Sequence, residues 1–221
     1  MEYMDISIRR YTREDRDGLR RIAWRTAFLK ESPENFLDDR KTIEDVLTIY
    51  FTDYEPGSSF VAIYNNKVVG YIIGALNVKI LRAVLVKKII PRLIIGAFRR
   101  KLFLKISLLR FLSHTALSLL KREFFVPDFS GEYPATFHIN IDEQFRGHGL
   151  GAKMVEHYLE FLKTKMIKGV HVGTMSERGR NFFSKLGFSL LFRGKRSHLK
   201  YILKRDVPYY VLGRALQMEN T

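Results

Sequence analysis

A mixed α/β fold is what the sequence predicts: a twisted sheet with a parallel strand pair at its centre and helices on both faces. Three stretches carry that expectation. Phe137–Asp142 alternates His138, Asn140 and Asp142 on one face with Phe137, Ile139 and Ile141 on the other, the period of a strand. After a turn containing Gly147, Gly149 and Gly151, the chain carries Met154, Val155, Tyr158, Leu159, Phe161, Leu162 and Met166 at helical spacing. Gly169–Met175, GVHVGTM, then reads as a second strand. Strand, helix, strand implies two parallel strands joined by a right-handed crossover.

The other elements follow in order. Ile6 and Ile8 alternate with polar neighbours and predict a first strand. Thr12 offers a cap for a helix with Asp15 in its first turn, whose buried face is Leu19, Ile22, Ala23 and Ala27. A second helix is expected over Thr42–Tyr54, then a loop from Glu55 to Ser59. Phe60–Tyr64 and Val68–Leu76 read as strands of a hairpin turned by Asn65-Asn66-Lys67, because Asn tolerates positive φ. Residues 77–126 are rich in Leu, Ile, Val and Phe, with many basic residues and almost no acid. Lys88, Arg92, Arg99, Arg110 and Lys121 fall at steps that return to nearly one helical angle. Two or three amphipathic helices with a basic face, inserted between strands, are expected there, with Pro91 starting one of them. Pro127–Pro134 is a loop. Ser176 can cap a helix that Gly187 ends. Phe188–Phe192 and Leu199–Leu203 are expected to form a final hairpin around Gly194, and Pro208–Met218 a short terminal helix.

Composition narrows the function. The 221 residues suit one domain, here read as 1–221 with the insertion at about 77–126. Lys and Arg number 38 against 23 Asp and Glu, a net +15 that favours anionic partners: a nucleotide cofactor, nucleic acid or a membrane surface. The chain has no cysteine, which removes disulfides, thiolate metal sites and a cysteine nucleophile. No signal-peptide pattern opens the chain and no apolar run spans a bilayer, so a soluble, cytoplasmic protein is expected.

The glycine turn carries the chemistry. A helix N-terminus offers unpaired N–H groups and a partial positive charge, so it binds phosphate, and Arg146 adds a fixed charge. Gly147-x-Gly149-x-x-Ala152 also satisfies a loose dinucleotide fingerprint. That fingerprint wants an acid at the end of the next strand, where Val170-His171-Val172-Gly173 has none. No P-loop Gly-Lys-Ser/Thr is present. The better match is Gln/Arg-x-x-Gly-x-Gly/Ala, read here as Gln144-Phe145-Arg146-Gly147-His148-Gly149. With this motif the chain resembles the GNAT superfamily of acetyl-CoA-dependent N-acetyltransferases over nearly its whole length. Asn181-Phe182-Phe183-Ser184-Lys185-Leu186-Gly187-Phe188 is similar to that family's closing FYxKLGF segment. Pro134–Ile141 and Gly169–Gly173 are also similar to a subgroup that includes the acetyltransferase-like domain attached to O-GlcNAc hydrolases.

The resemblance implies a GNAT-like mixed sheet whose central parallel strands splay apart, and acetyl-CoA as cosubstrate without a metal. It places the diphosphate on main-chain N–H groups of Arg146, Gly147, His148, Gly149, Leu150, Gly151 and Ala152, with Gln144 opening the motif. The pantetheine arm pairs with the main chain of Ile139 and Ile141, and the Ile141 N–H stabilises the oxyanion. Ser176 stands where the family often has a cofactor-contacting Asn, and Phe183 where it commonly has a Tyr that protonates the thiolate. His138 is the first candidate base, with Asn140 to orient it or the acceptor; Glu132 and Tyr133 rank below it. His138 and His171 lack the further ligands a metal needs.

The expected reaction is acetyl transfer from acetyl-CoA to a primary amine of a small molecule or peptide. The competing expectation, raised by Phe183, is a weakly active or inactive coenzyme A-binding regulatory module. The insertion at 77–126 reads as a helical cover with a solvated basic face, as a lid over the acceptor pocket, or as a peripheral membrane contact. Charge alone argues for nucleic acid, since no binding motif supports it. The acceptor, the preferred acyl chain and the oligomeric state, a homodimer included, stay open.

Overall fold

The structure, a computed structural model, describes residues 5–27 and 39–217. Seven strands form one mixed sheet in the order β1-β2-β3-β4-β5-β7-β6. These are β1 (Ser7–Arg10), β2 (Ser59–Tyr64), β3 (Lys67–Ala75), β4 (Ala135–Ile141), β5 (Gly169–Thr174), β6 (Ser189–Arg196) and β7 (Val207–Ala215). Every neighbouring pair is antiparallel except β4 and β5. The expected hairpin turn is present: Asn65 and Asn66 adopt φ of 47° and 59° between β2 and β3.

Helices cover both faces. On one side α1 (Arg16–Thr26) places Leu19, Ile22 and Ala23 on Val61, Tyr71 and Ile73. Beside it lies α2 (Arg40–Ile49), which runs on as a π-helical turn, Tyr50–Tyr54. The insertion between β3 and β4 holds three helices. Asn77 caps α3 (Val78–Val84), its Oδ1 accepting from the N–H of Lys79 at 2.9 Å. A π-helical turn, Leu85–Ile89, leads into α4 (Ile90–Arg99), with Pro91 in the first turn, where no N–H is required. A 3-10 turn at Leu102–Leu104 leads to α5 (Ile106–Leu120).

The opposite face carries α6 (Leu150–Thr164) and α7 (Glu177–Lys185). Met154, Tyr158 and Leu162 of α6 and Phe183 of α7 pack on Ile72, Phe137, Val170 and Tyr210. Each such side chain buried contributes roughly 1.5–3 kcal/mol. Successive residues of β2 and β3, Phe60 and Val61 or Ile72 and Ile73, therefore feed two different cores, which fixes their register.

The C-terminal expectation is corrected. Gly194 lies inside β6, Lys200–Leu203 forms the single turn α8, and residues 207–215 form a strand, not a helix. The final hairpin is β6 with β7, joined through α8. β7 sits between β5 and β6, so Tyr210 and Leu212 face the α6–α7 core while Val207 packs with Leu199 on the other side. A strand buried on both faces lacks the alternation that distinguishes it from a short helix. Met218 lies outside the described residues.

Candidate active site

β4 and β5 are paired only where Ala135 meets Val170 and Thr136 meets His171; beyond that they part. β4 stays bonded to β3 along its length, and the Asp142 N–H donates to the Val69 carbonyl at 2.8 Å. By strand alternation, the main-chain groups of His138 and Asn140 also face β3, while those of Ile139 and Ile141 face the gap. At the open end of the gap begins α6. Its cap is Gly149, with φ of +78° and no side chain bonded to the helix N–H groups. Gly147 has φ of +89°, and a Cβ added at either glycine would meet nothing within 4 Å. Gly151 ties turn to strand: a Cβ there would stand 3.3 Å from Ile141 Cδ1. An uncapped helix start facing open space, beside a slot lined by free strand edge, fits a diphosphate with a narrow tail attached.

The remaining motif residues divide. Arg146 ties the turn to the strand: its Nε donates to the Ile141 carbonyl at 2.8 Å. His148 is exposed in the turn, Leu150 is buried as its anchor and Ala152 is half-buried. Gln144 lines a shallow hollow of about 360 Å³ with Arg21, Arg25 and Asp142, away from the gap. Ser176 Oγ accepts from the Gly179 N–H at 3.0 Å and caps α7, as expected. Phe183 is a core side chain, its ring 5.9 Å from Phe137 and 5.5 Å from Phe188. Glu132, Tyr133 and His171 belong to the closed end of the β4–β5 pair: the Tyr133 carbonyl lies 2.7 Å from His171 Nδ1, and the Glu132 carbonyl abuts Gly169.

His138 and Asn140 lie together on the α1 side of β4. A tyrosine that the sequence did not single out joins them. Asn140 Nδ2 donates to Tyr71 Oη at 2.8 Å, and His138 Nδ1 stands 3.4 Å from that oxygen. Tyr71 is fully buried, and burial raises its pKa above the ordinary value although Asn140's hydrogen bond opposes this. The protein around the His138 ring disfavours the imidazolium and pushes the pKa down to about 4. The same side chain is exposed to solvent, and water at the ring opposes that penalty. The direction leaves a neutral imidazole at neutral pH. Across the gap, two residues beyond the last paired position on each strand, Gly173 stands opposite His138. The Tyr209 hydroxyl covers Gly173 so closely that a Cβ there would fall 2.6 Å from it. Arg196 stacks on the Tyr209 ring at 4.2 Å. Only the β5–β7 register reveals this placement, which is why Tyr209 escaped the sequence reading.

The sequence profile of the acetyltransferase (GNAT) family matches residues 17–188. The chain belongs to the GNAT acetyltransferase family. No curated protein matches it in sequence. Among solved structures, the GNAT fold recurs at low identity. SsHAT is 22% identical with a TM-score of 0.70, covering 96% of this chain and 98% of that one. The polyamine N-acetyltransferase of Drosophila melanogaster is 15% identical with a TM-score of 0.59, over 96% of this chain and 100% of its own. A putative acetyltransferase from Salmonella typhimurium, solved with acetyl-CoA, is 12% identical with a TM-score of 0.58, over 98% and 96%. These comparisons carry the GNAT family and its fold, and do not confirm the subgroup attached to O-GlcNAc hydrolases.

Proposed function

We propose that this GNAT protein transfers an acetyl group from acetyl-CoA to a primary amine of a small molecule or peptide. The observation that carries the reading is the parting of β4 and β5 beside the uncapped start of α6. Main-chain N–H groups from Gly147 to Ala152 would hold the diphosphate, the glycines allowing close approach, while the Arg146 N–H is taken by the Glu143 carbonyl at 3.2 Å. Ile139 and Ile141 would pair with the arm as an added strand. When bound, acetyl-CoA supplies an acetyl thioester activated for attack. The Ile141 N–H faces the gap and offers the carbonyl oxygen a donor. Arg146 donates to the Ile141 carbonyl, on the next peptide unit, and holds the end of that strand edge in place. His138 accepts the amine proton at Nε2, directly or through water; this requires Nδ1–H to donate to Tyr71 Oη. Tyr209 is the hydroxyl on the opposite lip and replaces the proton donor missing at Phe183.

The polyamine enzyme among the structural neighbours makes amines the starting panel. The +15 net charge repels polycations and favours amines that carry a nearby anion. Thiol release from acetyl-CoA across such a panel tests the reading. Release that depends on one amine class supports it. Calorimetric uptake of coenzyme A without release for any amine would instead favour the non-catalytic module, a second reading that the buried Phe183 recommends. Absence of uptake would defeat both.

A further inference from the structure

The insertion leaves a second apolar side facing outward. In α4, Leu93 turns inward with Ile89 onto Ile49 and Tyr50, while Arg100 pairs with Asp39 at 2.9 Å. Ile90, Ile94, Ile95 and Phe98 form the solvent-facing stripe, with Phe98 63% exposed. The Phe98 ring lies 5.3 Å from Phe103, so the stripe continues into the turn after α4, where Leu104 is 67% exposed. Lys88, Arg92 and Arg99, at steps of four and seven, run as a basic row along that stripe.

In α5 this is plainer. Its inward face carries polar side chains beside Phe111: His114 stacks on Tyr201 at 4.5 Å, and buried Ser118 bonds to Glu123. Its outward face carries Ile106, Leu109, Leu112, Leu117 and Leu120, the last 81% exposed. Soluble monomers rarely leave apolar surface contiguous on this scale. The charge around it is one-sided. Residues 77–126 hold twelve lysines and arginines against the single acid Glu123, a surplus of eleven within the chain's +15.

We propose that the outward faces of α4 and α5 dock on an anionic lipid bilayer, with the apolar stripes in the headgroup–acyl boundary and the basic rows on the headgroup phosphates. Both halves of that chemistry are needed to explain this surface. A nucleic acid would use the charge and leave the leucines in water. A second copy of this chain would cover the leucines and bring two surpluses of like charge together. An anionic bilayer meets both. Among the described residues no helix is long and apolar enough to cross a membrane, so the contact is in the interfacial plane. The two halves of the insertion rest on opposite sides of the β4–β5 gap, α4 against α2 and α5 against the α8–β7 corner. The binding itself does not depend on acetyl transfer.

Co-sedimentation of the whole protein with phosphatidylserine-containing vesicles and with phosphatidylcholine vesicles tests the proposal, alongside sizing by light scattering. Pelleting with the anionic vesicles and not the zwitterionic ones is expected. Phe98→Asp with Leu112→Asp, both at exposed positions, should cut the pelleted fraction about tenfold or more with unchanged circular dichroism. Arg92→Gln with Arg99→Gln should weaken binding and flatten its salt dependence. Failure to pellet with anionic vesicles overturns the proposal. So does pelleting that survives the aspartate pair, which would mean charge alone. A dimer that the aspartate pair dissociates, in a protein that ignores vesicles, assigns the surface to a second copy. Nucleic-acid binding insensitive to the aspartate pair, again without vesicle binding, assigns it to that partner.

Discussion

In the proposed reaction, His138 as the base sets which amine the site serves. Its pKa lies below the ordinary 6.5 because the surrounding protein disfavours the charged ring. A weak base removes a proton more easily from an amine that is itself weakly basic. Peptide α-amino groups, with pKa about 8, should therefore outpace lysine side chains, at about 10.4. The acid limb of kcat/KM should fall below pH 6.5, since the neutral, active form of His138 persists as pH is lowered towards its depressed pKa. His138→Ala should abolish that limb and lower kcat/KM about 10²-fold or more. Tyr71→Phe should shift the limb and leave coenzyme A affinity unchanged, because Tyr71 touches the ring and not the glycine turn. An unaltered pH–rate profile in His138→Ala would remove the base assignment. Tyr209→Phe tests the other lip: kcat should fall about 10²-fold with calorimetric cofactor affinity intact. The sequence supplied His138 and Asn140 through strand alternation. It hid Tyr71 and Tyr209, which reach the same place only by register with β4 and β5.

At the scale of elements, the turn before α6 separates folding from binding. Gly149→Ala puts a side chain at φ of +78°, a left-handed conformation costing about 1–2 kcal/mol. Nothing lies within 4 Å of the new Cβ, so packing adds no further penalty. The methyl group projects where the diphosphate would lie. A modest drop in melting temperature with a much larger loss of coenzyme A affinity, measured by calorimetry, is expected; equal small losses would move the cradle elsewhere. This element was legible because glycine, strand alternation and helical spacing followed one another without interruption. Ser176 and Gly187 were readable as cap and stop for the same reason, each role being local chemistry. The final hairpin was not legible. β7 is covered on both faces, and the Leu199–Leu203 run is apolar because α8 packs on Phe111 and Val207. Both facts are tertiary.

For the whole molecule, the α5 end of the insertion is tied to the sheet side by the insertion's one acid. Helical spacing foretold the helices of 77–126, but a solvated basic face was only part of their outer surface, which exposes leucine, isoleucine and phenylalanine. Periodicity gives a stripe and not the side it faces; that depends on what each helix finds beneath it. Beneath α5 the anchor is Glu123, whose carboxylate accepts from the Ser197 N–H and Oγ, each at 2.7 Å, and from Ser118 Oγ. Burial raises its pKa, but the hydrogen bonds from Ser118 and Ser197 outweigh this and hold it below the usual 4.5. The folded state thus prefers the ionised form. The stabilisation is present in full above pH 4.5 and is lost as pH falls through the lower folded value. Glu123→Gln removes the charge at every pH and leaves an amide that accepts more weakly. It should speed amide exchange in α5 near neutrality by about tenfold, the equivalent of one charge-assisted hydrogen bond at ~1.5 kcal/mol. Exchange in α6, which packs on the other face of the sheet, should not change. On acidification the wild-type α5 should approach the exchange rate of the variant while the variant shifts little. Equal protection of α5 in both proteins at neutral pH would show that Phe111 and the apolar corner, not the carboxylate, hold the insertion to the sheet.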